Sequence, residues 1–338
     1  MDFIQTLRSH LSKLQKIAIV IHQNPDGDAI GSGIGLATFL KQKGHDVTLI
    51  TPDSIPAFLA WIPGIEMLHN FEEEQELVKK AISHADLILC LDFPVLHRAG
   101  GVAPLIEEAQ GMKMAIDHHP DHQNFAHHMW IDTHAAATAI LVYRLIRDLE
   151  GCDLINTQIA TCLYVGIQTD TGSFQYTNTS DEAHLVAGDL IKRGVNLPLI
   201  REHINPRKPL SRIRLFSYMF LKRLVYMPEH HAAYLLLSQA DYHKFKLQPG
   251  DTSGLASQAL EIDEVLLAVL LVEKVDKIHL SFRSVDPVPV NHFAQKYFQG
   301  GGHLHAAGGC AYDSLENTAE KVKKAIIKEM PHYLKPKK

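Results

Sequence analysis

Acidic residues and histidines gather at four places in the first half of this chain. They are His22-Gln23-Asn24-Pro25-Asp26-Gly27-Asp28, then Asp92 closing an apolar run, then Asp117-His118-His119, and last Gly166-Ile167-Gln168-Thr169-Asp170-Thr171-Gly172. Carboxylate oxygens mixed with neutral imidazoles form a donor set for Mn²⁺ or Mg²⁺ rather than for a thiolate-bound metal, and the imidazoles favour Mn²⁺. Each cluster also has an ordinary explanation. Asn24-Pro25-Asp26-Gly27 reads as a turn, Asp28 as the N-cap of the helix that follows, Asp92 as a helix or turn cap before Phe93-Pro94, and Asp170 as an N-cap or turn residue after a helix. His122, His127, His128 and His134 read as loop residues. The clusters weigh more together than singly, because His22, Asp26, Asp28, Asp92, His118 and Asp170 all stand where an apolar segment ends.

The elements that must bring these residues together are legible from periodicity. Lys16–Ile21, Asp46–Ile50, Asp86–Leu91, Met112–Ile116 and His128–Ile131 read as strands, the first and third as continuous apolar runs buried on both faces. Ala29–Lys41, Phe71–Ser83, Thr133–Leu149 and Asn156–Gln168 read as helices. This alternation predicts an α/β fold: a mostly parallel sheet with helices on both faces. In such sheets ligands bind beyond the carboxyl ends of the strands, and three of the four clusters directly follow a predicted strand. Gly31-x-Gly33-x-Gly35 does not follow the dinucleotide fingerprint, and acids stand where a pyrophosphate would have to approach.

The 338 residues favour two domains. Residues 1–191 are expected to form the metal-binding domain, 192–224 a linker containing a helix over Leu210–Leu224, and 225–338 a smaller α/β domain, with a cleft between the two. In the second domain Ala232–Leu237, Val265–Val272 and Ile278–Phe282 read as strands and Ser314–Glu329 as a closing helix. The net charge of −5 excludes a generic basic coat for long nucleic acids. Four scattered cysteines (Cys90, Cys152, Cys162, Cys310) argue against both a structural zinc site and a disulfide framework. With neither a signal-like leader nor an apolar run of spanning length, the expectation is a cytoplasmic protein with no membrane partner.

At this point the residues resemble a known family. HxxPDGDAIGS (His22–Ser32), Leu91-Asp92, Asp117-His118-His119 and GIQTDTGSF (Gly166–Phe174) are similar, in order and spacing, to the four motifs of the DHH phosphoesterases. SFRS (Ser281–Ser284) and GGGHLHAAGG (Gly300–Gly309) resemble the DHHA1 substrate domain. Within the family, the length and C-terminal motif are similar to the branch of oligoribonucleases that also act as 3′-phosphoadenosine-5′-phosphate phosphatases. The resemblance implies two Mn²⁺ ions per site, with Mg²⁺ as the alternative. One would take His22, Asp26 and Asp92, the other Asp28, Asp92, His118 and Asp170, so that Asp92 bridges ions about 3.5–4 Å apart. It further implies that Asp117 orients His118 and that His119 contacts the scissile phosphate and protonates the leaving oxygen.

In the second domain, the glycine-rich segment lets backbone N–H groups approach an anion, and Arg283 offers a fork matched to phosphate oxygens. Arg283, Ser284, Gly301, Gly302 and His303 are therefore the expected substrate-binding residues. The expected substrate is a short RNA or a nucleotide bisphosphate. Cleavage of linear dinucleotides derived from cyclic dinucleotide signals, and non-catalytic sensing of a nucleotide or RNA, are the alternatives. A homodimer is compatible with this reading.

Overall fold

The computed structural model describes residues 3–204, 208–248 and 250–334. The chain divides into two compact units, residues 1–206 and 207–338.

The first unit is built on six strands: β1 (Lys16–Val20), β2 (Asp46–Thr51), β3 (Leu68–Asn70), β4 (Leu87–Leu91), β5 (Met112–Asp117) and β6 (His128–Ile131). They lie in the order β3-β2-β1-β4-β5-β6, each pair parallel. Alternate side chains serve separate cores. Ile17 and Ile19 of β1, with Ile21 just beyond it, pack against the helices Gly27–Gln42, Thr138–Asp148 and Thr157–Asp170, while Ala18 and Val20 face Val78, Ile82 and Ile106 on the opposite side. That two-sided burial explains why β1 and β4 read as unbroken apolar runs. The chain leaves β1 and β4 at the switch point of the sheet, where the order reverses and a crevice opens. Four expected elements shift. The helix expected from Phe71 starts at Gln75. The helix expected from Ala29 starts at Gly27, that expected from Thr133 starts at Thr138, and that expected to end at Gln168 runs on to Asp170.

Two of the glycines that fail as a dinucleotide motif, Gly31 and Gly35, share a packing role with Gly27. Gly27, Gly31 and Gly35 recur every four residues on one face of the helix Gly27–Gln42 and meet the helix Thr157–Asp170. A Cβ on Gly31 would lie 2.3 Å from the carbonyl oxygen of Cys162, and one on Gly166 would lie 2.7 Å from Asp28 Oδ1. Only glycine allows this approach, and it brings the helix bearing Asp28 against the helix ending at Asp170.

The second unit holds a mixed sheet of β7 (Leu224–Met227), β8 (Ala232–Leu237), β9 (Leu267–Glu273), β10 (Ile278–Ser284), β11 (Gly301–His303) and β12 (Ala306–Ala311). Its order is β11-β12-β10-β9-β8-β7, with β8 and β9 parallel and the other neighbours antiparallel. Leu280 and Phe282 face a core with Phe293, Phe298, Val322 and Ile326. On the other face Leu235, Leu237, Ala268 and Leu270 are covered by Leu215, Met219, Leu255 and Ala259. The helix expected over Leu210–Leu224 ends at Tyr218, passes through one wide turn and gives way to β7. The glycine-rich segment Gly300–Gly309 forms a hairpin, β11–β12, at the sheet edge.

Candidate metal centre

Asp92 lies at the middle of the acid–imidazole cluster. It follows β4 with a left-handed backbone (φ 68°), a conformation that β-carbon-bearing residues adopt at a cost and that recurs at functional sites. Its backbone N–H donates to Ile116 and its carboxylate is buried. Oδ2 lies 3.5 Å from His22 Nε2, and Oδ1 lies 3.7 Å from His118 Nε2. One carboxylate thus turns an oxygen toward each of two sets of donors. His22, Asp26 and Asp92 form one set and Asp28, His118 and Asp170 another, with the ligand atoms of each within 4.8 Å of one another. A third combination, Asp92, His118 and His119, meets the same limit.

The imidazoles of both donor sets are oriented by carbonyl groups. His22 Nδ1 lies 2.8 Å from the Gln23 carbonyl and His118 Nδ1 lies 3.1 Å from that of Ala135. Donation from Nδ1–H leaves Nε2 of each neutral ring as the lone-pair atom facing the acids. Arg98 Nη2, 3.3 Å from His22 Nδ1, is a second donor and cannot share that role. His118 Nε2 is buried and lacks a hydrogen-bond partner although Asp170 Oδ2 is 3.1 Å away, an orphaned donor atom of the kind a cation would satisfy.

Without a cation the cluster takes up protons. Burial opposes charge on His22, but Asp26 and Asp92 outweigh it and push the imidazole up to about 10. Burial likewise opposes charge on His118, and Asp170, Asp28 and Asp92 overcome it, again up to about 10. Asp28 goes well above the usual carboxylate range, first through burial and then through the Asp92 and Asp170 charges. Burial also raises Asp92, against the pull of His22. For Asp26 burial is outweighed by His22 and by two backbone N–H groups, which bring it down to about 2. Such a concentration of buried acid is what divalent cations relieve, so the residues fit a two-cation site.

The caps differ from the sequence expectation. Asp26, not Asp28, caps the helix Gly27–Gln42: its Oδ1 accepts from the N–H groups of Asp28 and Ala29, both at 3.0 Å. Asp28 caps a different helix, 110 residues away, accepting from Thr138 N–H at 2.6 Å and from Ala139 N–H at 2.9 Å. A second correction concerns Asp117. It does not orient His118; its Oδ1 accepts from His119 Nδ1 at 2.8 Å. The Asp117 hydrogen bond, against burial, raises the His119 pKa. Sequence reading missed Thr138, whose hydroxyl donates to Asp92 Oδ1 at 2.8 Å. A threonine opening a helix after Ala135-Ala136-Ala137 signals nothing beyond helix initiation.

In the second unit Arg283 stands on the face of β10 that carries Ser281 and His279, beside a cavity of about 380 Å³ also lined by Thr252, Ser253 and Lys274. Ser284 points to the other face. It is buried, donates to the Val288 carbonyl at 2.6 Å and lies 3.1 Å from His305 Nδ1, so the expected substrate contact is a structural one. The strand period of two, applied to SFRS, pairs Arg283 with Ser281 and separates it from Ser284. Gly301 and Gly302 lie on β11, and Gly302 has a φ of 143°. His303 completes that strand in its backbone, and its side chain lies outside the described residues.

This arrangement and the sequence define a member of the DHH family. The DHH family N-terminal domain matches residues 16–167 and the DHHA1 domain matches residues 231–333. The chain is 31% identical over 315 residues to the bifunctional oligoribonuclease and PAP phosphatase NrnA of Thermus thermophilus, covering 93% of this chain and 90% of that protein. It is 28% identical to the NrnA protein of Bacillus subtilis, covering 89% of this chain and 91% of that one. The crystal structure of an exopolyphosphatase-related protein from Bacteroides fragilis superposes with a TM-score of 0.85 at 32% identity, covering 98% of this chain and 97% of that chain. Among the described residues no helix is long and apolar enough to cross a membrane.

Proposed function

We propose that the protein is an Mn²⁺-dependent phosphoesterase that hydrolyses short oligoribonucleotides, 3′-phosphoadenosine 5′-phosphate, or both. The observation that carries this reading is Asp92, one buried carboxylate shared by two sets of metal-type donors. The activities named for the Thermus and Bacillus relatives point to the same substrates. His22, Asp26 and Asp92 would hold one cation, and Asp28, Asp92, His118 and Asp170 the other. The cations would supply an activated water and neutralise charge on the phosphoryl oxygens. Asp117 holds the His119 ring through Nδ1, leaving Nε2 of this half-exposed imidazole to face a substrate oxygen and protonate the leaving group. Arg283 would grip a substrate phosphate, and the glycines of β11 would admit the nucleotide close to the backbone.

The test is a set of initial rates with Mn²⁺ on RNAs of two to five residues, a linear diadenylate and 3′-phosphoadenosine 5′-phosphate. Fastest turnover of the RNAs or the bisphosphate is expected, and Asp92→Ala should abolish it. A preference for the linear diadenylate would reassign the substrate. Tight binding with no product released would make the protein a sensor, and full activity of Asp92→Ala would remove the shared carboxylate from the mechanism.

A further inference from the structure

Thr138 is the residue that joins the two donor sets. Its hydroxyl donates to Asp92 Oδ1 at 2.8 Å, and its backbone N–H donates to Asp28 Oδ2 at 2.6 Å. It is fully buried and opens the helix Thr138–Asp148. The imidazoles of His22, His118 and His119 stand 3.5 Å or more from the Asp92 carboxylate oxygens. Rotation about the last side-chain torsion of an aspartate is soft and broad. Unrestrained, the Asp92 carboxylate would sample orientations in which both oxygens address one donor set. The hydroxyl at 2.8 Å selects the orientation in which Oδ2 faces His22 and Oδ1 faces His118.

The helix that carries Thr138 is itself held in place. Arg144, on the same helix, donates to Asp132 at 2.6 Å and to Glu182, binding the helix to the segment after β6 and to the helix Asp181–Lys192. Asp28 secures the amino end. The hydroxyl is therefore presented from a fixed backbone rather than from a loop.

We propose that Thr138 is a positioning residue that holds the Asp92 carboxylate across both metal sites and ties it to Asp28. The inference rests on the two-metal reading and adds a residue outside the ligand set. Partners that orient metal ligands typically contribute ten- to a hundredfold in metal affinity or activity. Val at this position keeps the shape and the backbone N–H to Asp28 but removes the hydroxyl, whereas Ser keeps the hydroxyl.

The experiment is Mn²⁺ titration of metal-free wild type, Thr138→Val, Thr138→Ser and Thr138→Ala, read by calorimetry and by the free-Mn²⁺ electron spin resonance signal, with circular dichroism as the check on folding. Thr138→Val should bind Mn²⁺ about ten- to a hundredfold more weakly. Thr138→Ser should stay close to wild type, and kcat in Thr138→Val should fall while KM holds. If Thr138→Val does not fold, the Ser and Ala variants isolate the hydroxyl, with weaker binding expected in Ala. Wild-type affinity in a folded variant lacking the hydroxyl would overturn the role of Thr138 and leave the metal centre standing. Failure of the wild type itself to bind Mn²⁺ would overturn both.

Discussion

Metal binding to this protein should release protons, and the number is set by the imidazoles. In the metal-free cluster His22 and His118 are held protonated, each with a pKa of about 10. A metal ligand must be a neutral imidazole, so each ion has to displace one proton. Far below its pKa, each imidazole makes the affinity for its ion rise about tenfold per pH unit. Between pH 7 and 8 the structure therefore calls for about a tenfold gain per ion. Histidines at their ordinary value near 6.5 would give only about a 1.3-fold gain over the same interval. Any proton held by the raised Asp28 carboxyl adds to the release. Calorimetric Mn²⁺ titrations at each pH, in two buffers of different ionisation enthalpy, report affinity and proton count together. The outcome expected is at least one proton per ion and a steep pH dependence. Affinity that is flat from pH 7 to 8 with no proton released would show that the imidazoles are neutral beside the acids, and the electrostatic account of the cluster would fail.

The same contacts set the stability of the metal-free protein. The folded-state pKa of His22 is raised, so its contribution is complete below pH 6.5 and fades as pH climbs through about 10. Melting temperature without metal should decline across that window, and a constant value would contradict it. Gly31→Ala should lower the urea midpoint: the added methyl meets a backbone carbonyl at 2.3 Å, and overpacking of about 1–3 kcal/mol exceeds the roughly 1 kcal/mol gained in helix propensity. An unchanged midpoint would mean that the helix seam has slack. Arg283→Ala should raise KM with little change in kcat, whereas Ser284→Ala should leave KM alone and cost about 1 kcal/mol of stability through its lost hydrogen bond to Val288. Reversed phenotypes would restore Ser284 as a substrate contact.

The parallel sheet was legible because β1 and β4 are buried on both faces and write that burial as continuous apolar runs. The convergence of His22 and Asp92 followed from strand order, since both residues leave the sheet at its carboxyl edge. What stayed hidden was set by partners distant in sequence. The helix expected at Thr133 begins at Thr138, where Asp28 supplies its cap from 110 residues away. The β11–β12 hairpin escaped because glycine carries no strand signal and the pairing itself supplies the order. Asp117 was assigned to the wrong histidine because adjacency along a chain does not tell which way a side chain turns. Ser284 was a different failure: alternation along a strand was enough to exclude it.

The two carboxylates beside Gly27 each perform a folding task besides the metal-binding one proposed for them, but with different tolerance for an isosteric amide. Asp26 caps its helix through Oδ1 alone, so asparagine there would retain the acceptor while shedding the charge. Asp28 engages a backbone N–H with each oxygen, and an amide nitrogen in either place would set donor against donor. An inactive but intact version of this protein, useful for trapping substrate, is therefore better sought at position 26 than at position 28.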